Sequence, residues 1–203
     1  MRLHHYELSA DCYKVRLLLS ALAIPHETRQ LDMVPGRQHR SDAHRRLSPL
    51  ARLPVLEDDD LVLDDANAIL IHLASRHDPQ GLWFMRAPGA IAQWLGVGAA
   101  LSATLGRARL VDCFDTGMET AALLAEARPW LEALERHLWL AGAEGRFHLC
   151  GTHPSIGDIA CFADSVLAEE AGVELREYPA IRRWHDRMRM MPGFIVMPGV
   201  FPR

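Results

Sequence analysis

The spacing of hydrophobic positions changes once along this chain, near residue 80. Before that point short apolar runs alternate with stripes of helical period. Residues 2–8 read as a strand. Val15, Leu18, Leu19 and Leu22 form a helical stripe over 12–23 that Pro25 terminates. Residues 26–31 make a second, polar strand, and the basic segment 36–46 an exposed loop or short helix. The stretch 53–70, LPVLEDDDLVLDDANAIL, places two short strands, 53–57 and 61–63, around the acidic turn Asp58-Asp59-Asp60. A helix start follows with almost no linker. The order is β-α-β-α-β-β-α, an α/β unit.

After Asp78-Pro79-Gln80-Gly81 and Ala87-Pro88-Gly89 only helical spacing remains. Residues 90–110 are rich in Ala and Leu. Residues 116–141 carry Leu123, Leu124, Trp130, Leu131, Leu134 and Leu138, with Pro129 predicting a kink or a break. Over 155–171 the helix signal is clearest, with Ser155 as N-cap and Asp158 able to answer it as a capping box. The last helix, 178–191, stops at Pro192-Gly193. The fold class is therefore α/β plus all-α, with one domain over 1–78 and a helical-bundle domain over 88–203.

Composition narrows the function classes. The 203 residues are 49% hydrophobic and 24% charged, so a packed core is expected. A net charge of -4 with scattered basic residues gives nucleic acid no electrostatic footprint. No apolar run is expected to span a bilayer, and the N-terminus is too polar for a secretory signal, so a cytoplasmic location is the expectation. Cys12, Cys113, Cys150 and Cys161 lie far apart without a CxxC, as reduced thiols rather than a disulfide framework. Among eleven histidines only the 148–153 segment, with His148, Cys150 and His153, is dense, and it lacks the second half of a metal site. No metal is expected.

The stretch 53–70 carries the candidate chemistry. Pro54 removes a ladder donor and belongs at an edge or tight turn, and an X-Pro bond is where a cis peptide is cheapest. The helix N-terminus just beyond it can hold a carboxylate. An extended, acid-bearing ligand fits both.

Four blocks in order resemble the soluble glutathione transferase family, in its theta-like and bacterial serine-using classes. Residues 8–17, LSADCYKVRL, look like the family's first loop and helix. Residues 48–56, SPLARLPVL, are similar to its NPxGKVPVL block, and 65–70, DANAIL, to ESxAIL. Residues 154–160, PSIGDIA, resemble its TxADI capping box, with the C-terminal helix and Met191-Pro192-Gly193-Phe194 beyond. The resemblance spans nearly the whole chain. It implies a thioredoxin-like N-terminal domain, a helical C-terminal one, glutathione as co-substrate, a hydrophobic electrophile and a homodimer.

It also implies roles. Ser9, at the start of the first helix, would hydrogen-bond the glutathione thiolate, aided by the helix dipole; a turn or cap serine is the structural alternative. Cys12 could instead form a mixed disulfide, or be a small buried residue. Tyr6 is a third candidate, or a sheet-facing aromatic. Asp11 would raise the thiol's pKa. The backbone of Leu53 before a cis Pro54 would pair with the cysteinyl unit. Asp65 would receive the γ-glutamyl ammonium, or simply favour the helix dipole. Arg52, His39 or Arg40 could reach the glycyl carboxylate or stay solvated. Trp94, Leu101 and Arg109 could line the electrophile pocket or belong to core or interface.

The family serine that holds the γ-glutamyl carboxylate is Ala66 here, a loss on the order of 1.5–3 kcal/mol. Ser48 and Ala51 replace the Asn and Gly of NPxG. Three functions compete: transfer of glutathione using Ser9, a glutathione-dependent disulfide reductase or peroxidase using Cys12, and a non-catalytic binding protein.

Overall fold

The computed structural model describes residues 1–114 and 119–197, the side chains of Asp112 and Cys113 excepted. Its N-terminal domain follows the predicted order: β1 (Arg2–His5), α1 (Ala10–Ala21), β2 (Glu27–Gln30), α2 (Asp42–Arg45), β3 (Val55–Asp58), β4 (Leu61–Leu63) and α3 (Ala66–His77). The sheet runs β2-β1-β3-β4, with β1 and β2 parallel and the other pairs antiparallel. This is the thioredoxin-like arrangement. β2 is exposed along its length, which is why its sequence is polar and its apolar signal weak. Leu3 pairs with Leu56 at the centre of the sheet, both fully buried beneath α1 and α3.

α1 ends at Ala21, four residues before Pro25, once the capping N–H of Leu22 reaches back to Leu18. Its far end receives the C-terminal segment. Gly193 lies there at φ +72, where a Cβ would come within 2.6 Å of the Ser20 carbonyl oxygen, so only glycine suits both the turn and the space.

The helical domain comprises α4 (Pro88–Leu101), a π-helical segment (Ser102–Gly106), α5 (Arg107–Cys113), α6 (Ala121–Ala143), α7 (Ile156–Ser165) and α8 (Pro179–Arg189). Helix 90–110 is thus interrupted by a π segment that no periodicity announced. The start of the helix expected over 116–141 lies outside the described residues. From Ala121 it runs unbroken through Pro129. Pro129 and Ala125 are both on the exposed face, where water can take the carbonyl that the missing N–H leaves free. Trp130 turns outward too; the buried stripe is Ala127, Leu131, Leu134, Leu138 and Ala141. The helix expected over 155–171 stops at Ser165 and continues as a short 3-10 turn, Ala168–Ala171.

The continuous helical run Pro88–Val111 is long and apolar enough, by length and composition, to cross a membrane. This corrects the expectation that no run reaches that length. In this fold its buried face packs on α7. Gly98 permits the approach, since a Cβ there would lie 2.7 Å from that of Ala160.

The capping box at Ser155 is present and does more than cap. The fully buried Asp158 carboxylate accepts from the Ser155 N–H (2.9 Å) and Oγ (2.7 Å), the Leu149 N–H (2.9 Å) and Trp184 Nε1 (3.0 Å). Cys12, Cys150 and Cys161 are free thiols; the Cys113 side chain lies outside the described set.

Candidate functional site

A cleft of about 380 Å³ opens where the end of β1, the start of α1, the loop before β3 and the start of α3 meet the end of α5. It brings together Tyr6, Ser9, Arg52, Leu53, Asp65 and Ala66 from widely separated parts of the sequence. Larger hollows lie along α6 and at the far end of α1, but none of the predicted site residues lines them.

Ser9 is the N-cap of α1, its Oγ accepting the Cys12 N–H at 3.3 Å. Capping uses the oxygen as an acceptor and leaves the O–H proton available to donate. The cap reading and the functional reading of Ser9 are therefore compatible. Arg109, from α5, donates to the Leu8 carbonyl at 3.0 Å and fixes the residue before it.

The loop 48–54 is built by replacements that looked like losses in the sequence. The buried Ser48 Oγ accepts the Arg52 N–H (2.9 Å) and donates to Asp64 (2.8 Å), tying the loop to the start of α3. His44 Nε2 meets the Arg52 carbonyl at 2.8 Å. Ala51 takes the left-handed conformation, φ 56, that a glycine would occupy without strain. The Leu53–Pro54 bond is cis. Among the described residues no hydrogen bond joins the Leu53 backbone to another protein group, because β1–β3 pairing stops at His4 and Val55. The Arg52 side chain is exposed and forms no ion pair among the described residues.

At the start of α3, Asp65 is the N-cap and accepts the Ala68 N–H at 3.0 Å. The N–H groups of Ala66 and Asn67 precede the first intrahelical bond and remain available to an anion beside Ala66. Asp65 thus fills the cap role as well as lining the cleft.

Several predicted residues stand elsewhere. Cys12 is fully buried under the Ser9 turn, its sulfur accepting the Tyr6 N–H at 3.3 Å. Burial pushes its thiol up to about 12, against smaller downward effects of Ser9 and Tyr6. A nucleophile must be an accessible thiolate, so the Cys12 assignment is corrected to a packing residue. His39 is buried in a 3-10 turn and does not line the cleft, nor does Arg40; burial, then Arg40, lower the His39 pKa. Trp94 is core, tilted on His137 at 4.5 Å, and Leu101 is fully buried. Arg109 is buried against Glu170 at 2.7 Å rather than lining an electrophile pocket. Pro54 is buried and does not line the cleft.

Large apolar side chains on the cleft lining come from Met33, Leu110 and Phe114. Leu110 and Phe114 are four apart, a helical-face spacing the sequence does carry. Met33, in a loop, has no such signal. The 148–153 segment is a tight turn closed by a His148–Gly151 bridge, and no group of three metal-ligating side chains occurs among the described residues.

The fold and this cleft together define a two-domain thioredoxin-like class. The family model for the glutathione S-transferase N-terminal domain matches residues 3–81. Human glutathione S-transferase theta-1 is 27% identical over 202 residues, covering 92% of this chain and 81% of that protein. Maleylacetoacetate isomerase of Pseudomonas aeruginosa is 28% identical over 209 residues, covering 96% and 93%. The crystal structure of a glutathione S-transferase from Pseudomonas fluorescens superposes with a TM-score of 0.83 at 26% identity, covering 97% of this chain and 98% of that one. Residues 3–81 thus match the glutathione S-transferase N-terminal family, and nearly the whole chain is similar to glutathione S-transferases, with theta-class transferases among its homologues.

Proposed function

We propose that this cleft binds glutathione and that Ser9 stabilises its thiolate for attack on an apolar electrophile. The observation that carries the reading is the convergence in one cleft of Ser9, the unpaired Leu53 backbone and the start of α3. The cysteinyl unit would pair with Leu53 as an added strand, leaving its sulfur before Ser9 and the positive end of α1. The γ-glutamyl carboxylate would meet the N–H groups of Ala66 and Asn67, and its ammonium Asp65. Arg52 would take the glycyl carboxylate. Met33, Leu110 and Phe114 supply an apolar wall for the electrophile.

On this reading residues 1–78 are the glutathione-binding unit and 88–203 the helical unit, acting as a cytoplasmic homodimer. The sealed Cys12 leaves a disulfide reductase without its nucleophile.

The test is turnover of an activated aryl halide with glutathione by the unmodified protein, Ser9→Ala and Cys12→Ala. Activity lost in Ser9→Ala and retained in Cys12→Ala is the expected result; the reverse overturns the assignment. Similarity to an isomerase makes product analysis part of the assay. Glutathione consumed mole for mole marks transfer, and glutathione recovered unchanged marks isomerisation.

A further inference from the structure

Lys14 lies on α1 five residues beyond Ser9, yet it is 1% exposed. Its Nζ donates to Asp11 (2.7 Å) and Ser102 Oγ (2.5 Å), and lies 3.1 Å from Asp164 on α7. Ser102 Oγ in turn donates to Asp164 at 2.6 Å. The π segment contributes at both ends. Ser102 opens it, and at Gly106 a Cβ would come within 2.5 Å of the Asp164 carboxylate.

A buried ion cluster is a weak source of stability, and apolar side chains of similar volume usually serve as well. Its position suggests another use. Asp11 lines the cleft two residues from Ser9, where its charge opposes a thiolate.

We propose that Lys14 is a positioning residue for the thiolate site: it draws the Asp11 carboxylate away from the sulfur and offsets its charge. The proposal rests on glutathione docking at Ser9. Lys14 can do this because Asp164 and Ser102 hold its ammonium in place; burial alone would lower its pKa, but Asp164 and Asp11 outweigh that and raise it. Other charges near Ser9 are Asp64 and Asp65 before α3, Arg52 in the loop, Arg16 further along α1, and Arg109 through the Leu8 carbonyl. Among the described residues, none of these other charges bonds to Asp11, whereas Lys14 does, with Ser102 Oγ 3.3 Å from the same carboxylate oxygen.

The readout is the ultraviolet absorbance of enzyme-bound glutathione thiolate against pH. Lys14→Met alone would strand Asp164, so Asp164→Asn serves as the folded reference. Adding Lys14→Met to it should raise the midpoint by about half to one pH unit, and adding Asp11→Asn as well should restore it. Asp11→Asn should lower the midpoint less when Lys14 is present than when it is absent. A purely structural Lys14 predicts lower stability with an unmoved midpoint, and either that result or equal effects of Asp11→Asn in both backgrounds overturns the proposal. Absence of any thiolate signal in the unmodified protein overturns the glutathione reading and this proposal with it, a failure distinct from an unmoved midpoint.

Discussion

At the residue scale the cleft is lined by groups that also cap helices. Ser9 caps α1 with its oxygen and leaves its proton free to donate; Asp65 caps α3 and lines the same space. Removing the Ser9 hydroxyl deletes one hydrogen bond to a charged partner, about 1.5–3 kcal/mol. Ser9→Ala should therefore lower kcat/KM for glutathione by roughly tenfold to a hundredfold. Restoring a hydroxyl with Ala66→Ser should tighten glutathione binding by a similar factor in a calorimetric titration, and no gain would show that the γ-glutamyl end docks elsewhere. Ala51 is the place where sequence and backbone disagree. Its left-handed conformation is destabilising for an alanine, and Ala51→Gly should raise unfolding free energy by up to about 1 kcal/mol in urea melts.

At the element scale the buried carboxylates decide how helices meet. Asp158 accepts four donors from α7, the preceding turn and α8, so Asp158→Ala leaves buried donors unpaired. A loss of about 3–5 kcal/mol is expected, read as a lower urea midpoint; a loss under about 1 kcal/mol would refute the account. Most elements were legible because periodicity and caps were. Ser155 with Asp158, Pro54 before a strand, and the α1 stripe each declared local geometry. What stayed hidden was set by tertiary contact. The π segment exists where Ser102 and Gly106 reach Asp164, and Pro129 is tolerated because its gap faces solvent. Of the expected site residues, Ser9, Arg52, Leu53, Asp65 and Ala66 line the cleft, all tied to caps or the proline turn. Cys12, His39 and Arg109 are buried and do not line it, and burial is invisible in one sequence.

At the scale of the whole molecule the two domains share one interior, and it holds a neutral histidine. His185 sits against Phe162 and Trp184 with Ser165 Oγ 2.9 Å from its Nε2. Burial, with a smaller effect of Arg189, pushes its pKa down to about 3. A base lowered on folding leaves stability intact above its unfolded pKa near 6.5. Below that pH only the unfolded chain takes up the proton. Stability should then fall by about 1.4 kcal/mol per pH unit down to about 3. His5 and His39, also lowered by burial, act in the same direction. Urea melts at pH 7.5 and 5.0 should differ by roughly 2 kcal/mol, with His185→Gln removing most of the difference.

The central claim is that one cleft between these domains holds glutathione with its sulfur at Ser9. A crystal structure of the protein with glutathione tests it most directly. The account predicts the sulfur within hydrogen-bonding distance of Ser9 Oγ, the cysteinyl backbone paired with Leu53, and the γ-glutamyl carboxylate at the N–H groups of Ala66 and Asn67. Glutathione absent from the cleft at saturating concentration, or bound with its sulfur turned away from Ser9, would contradict it.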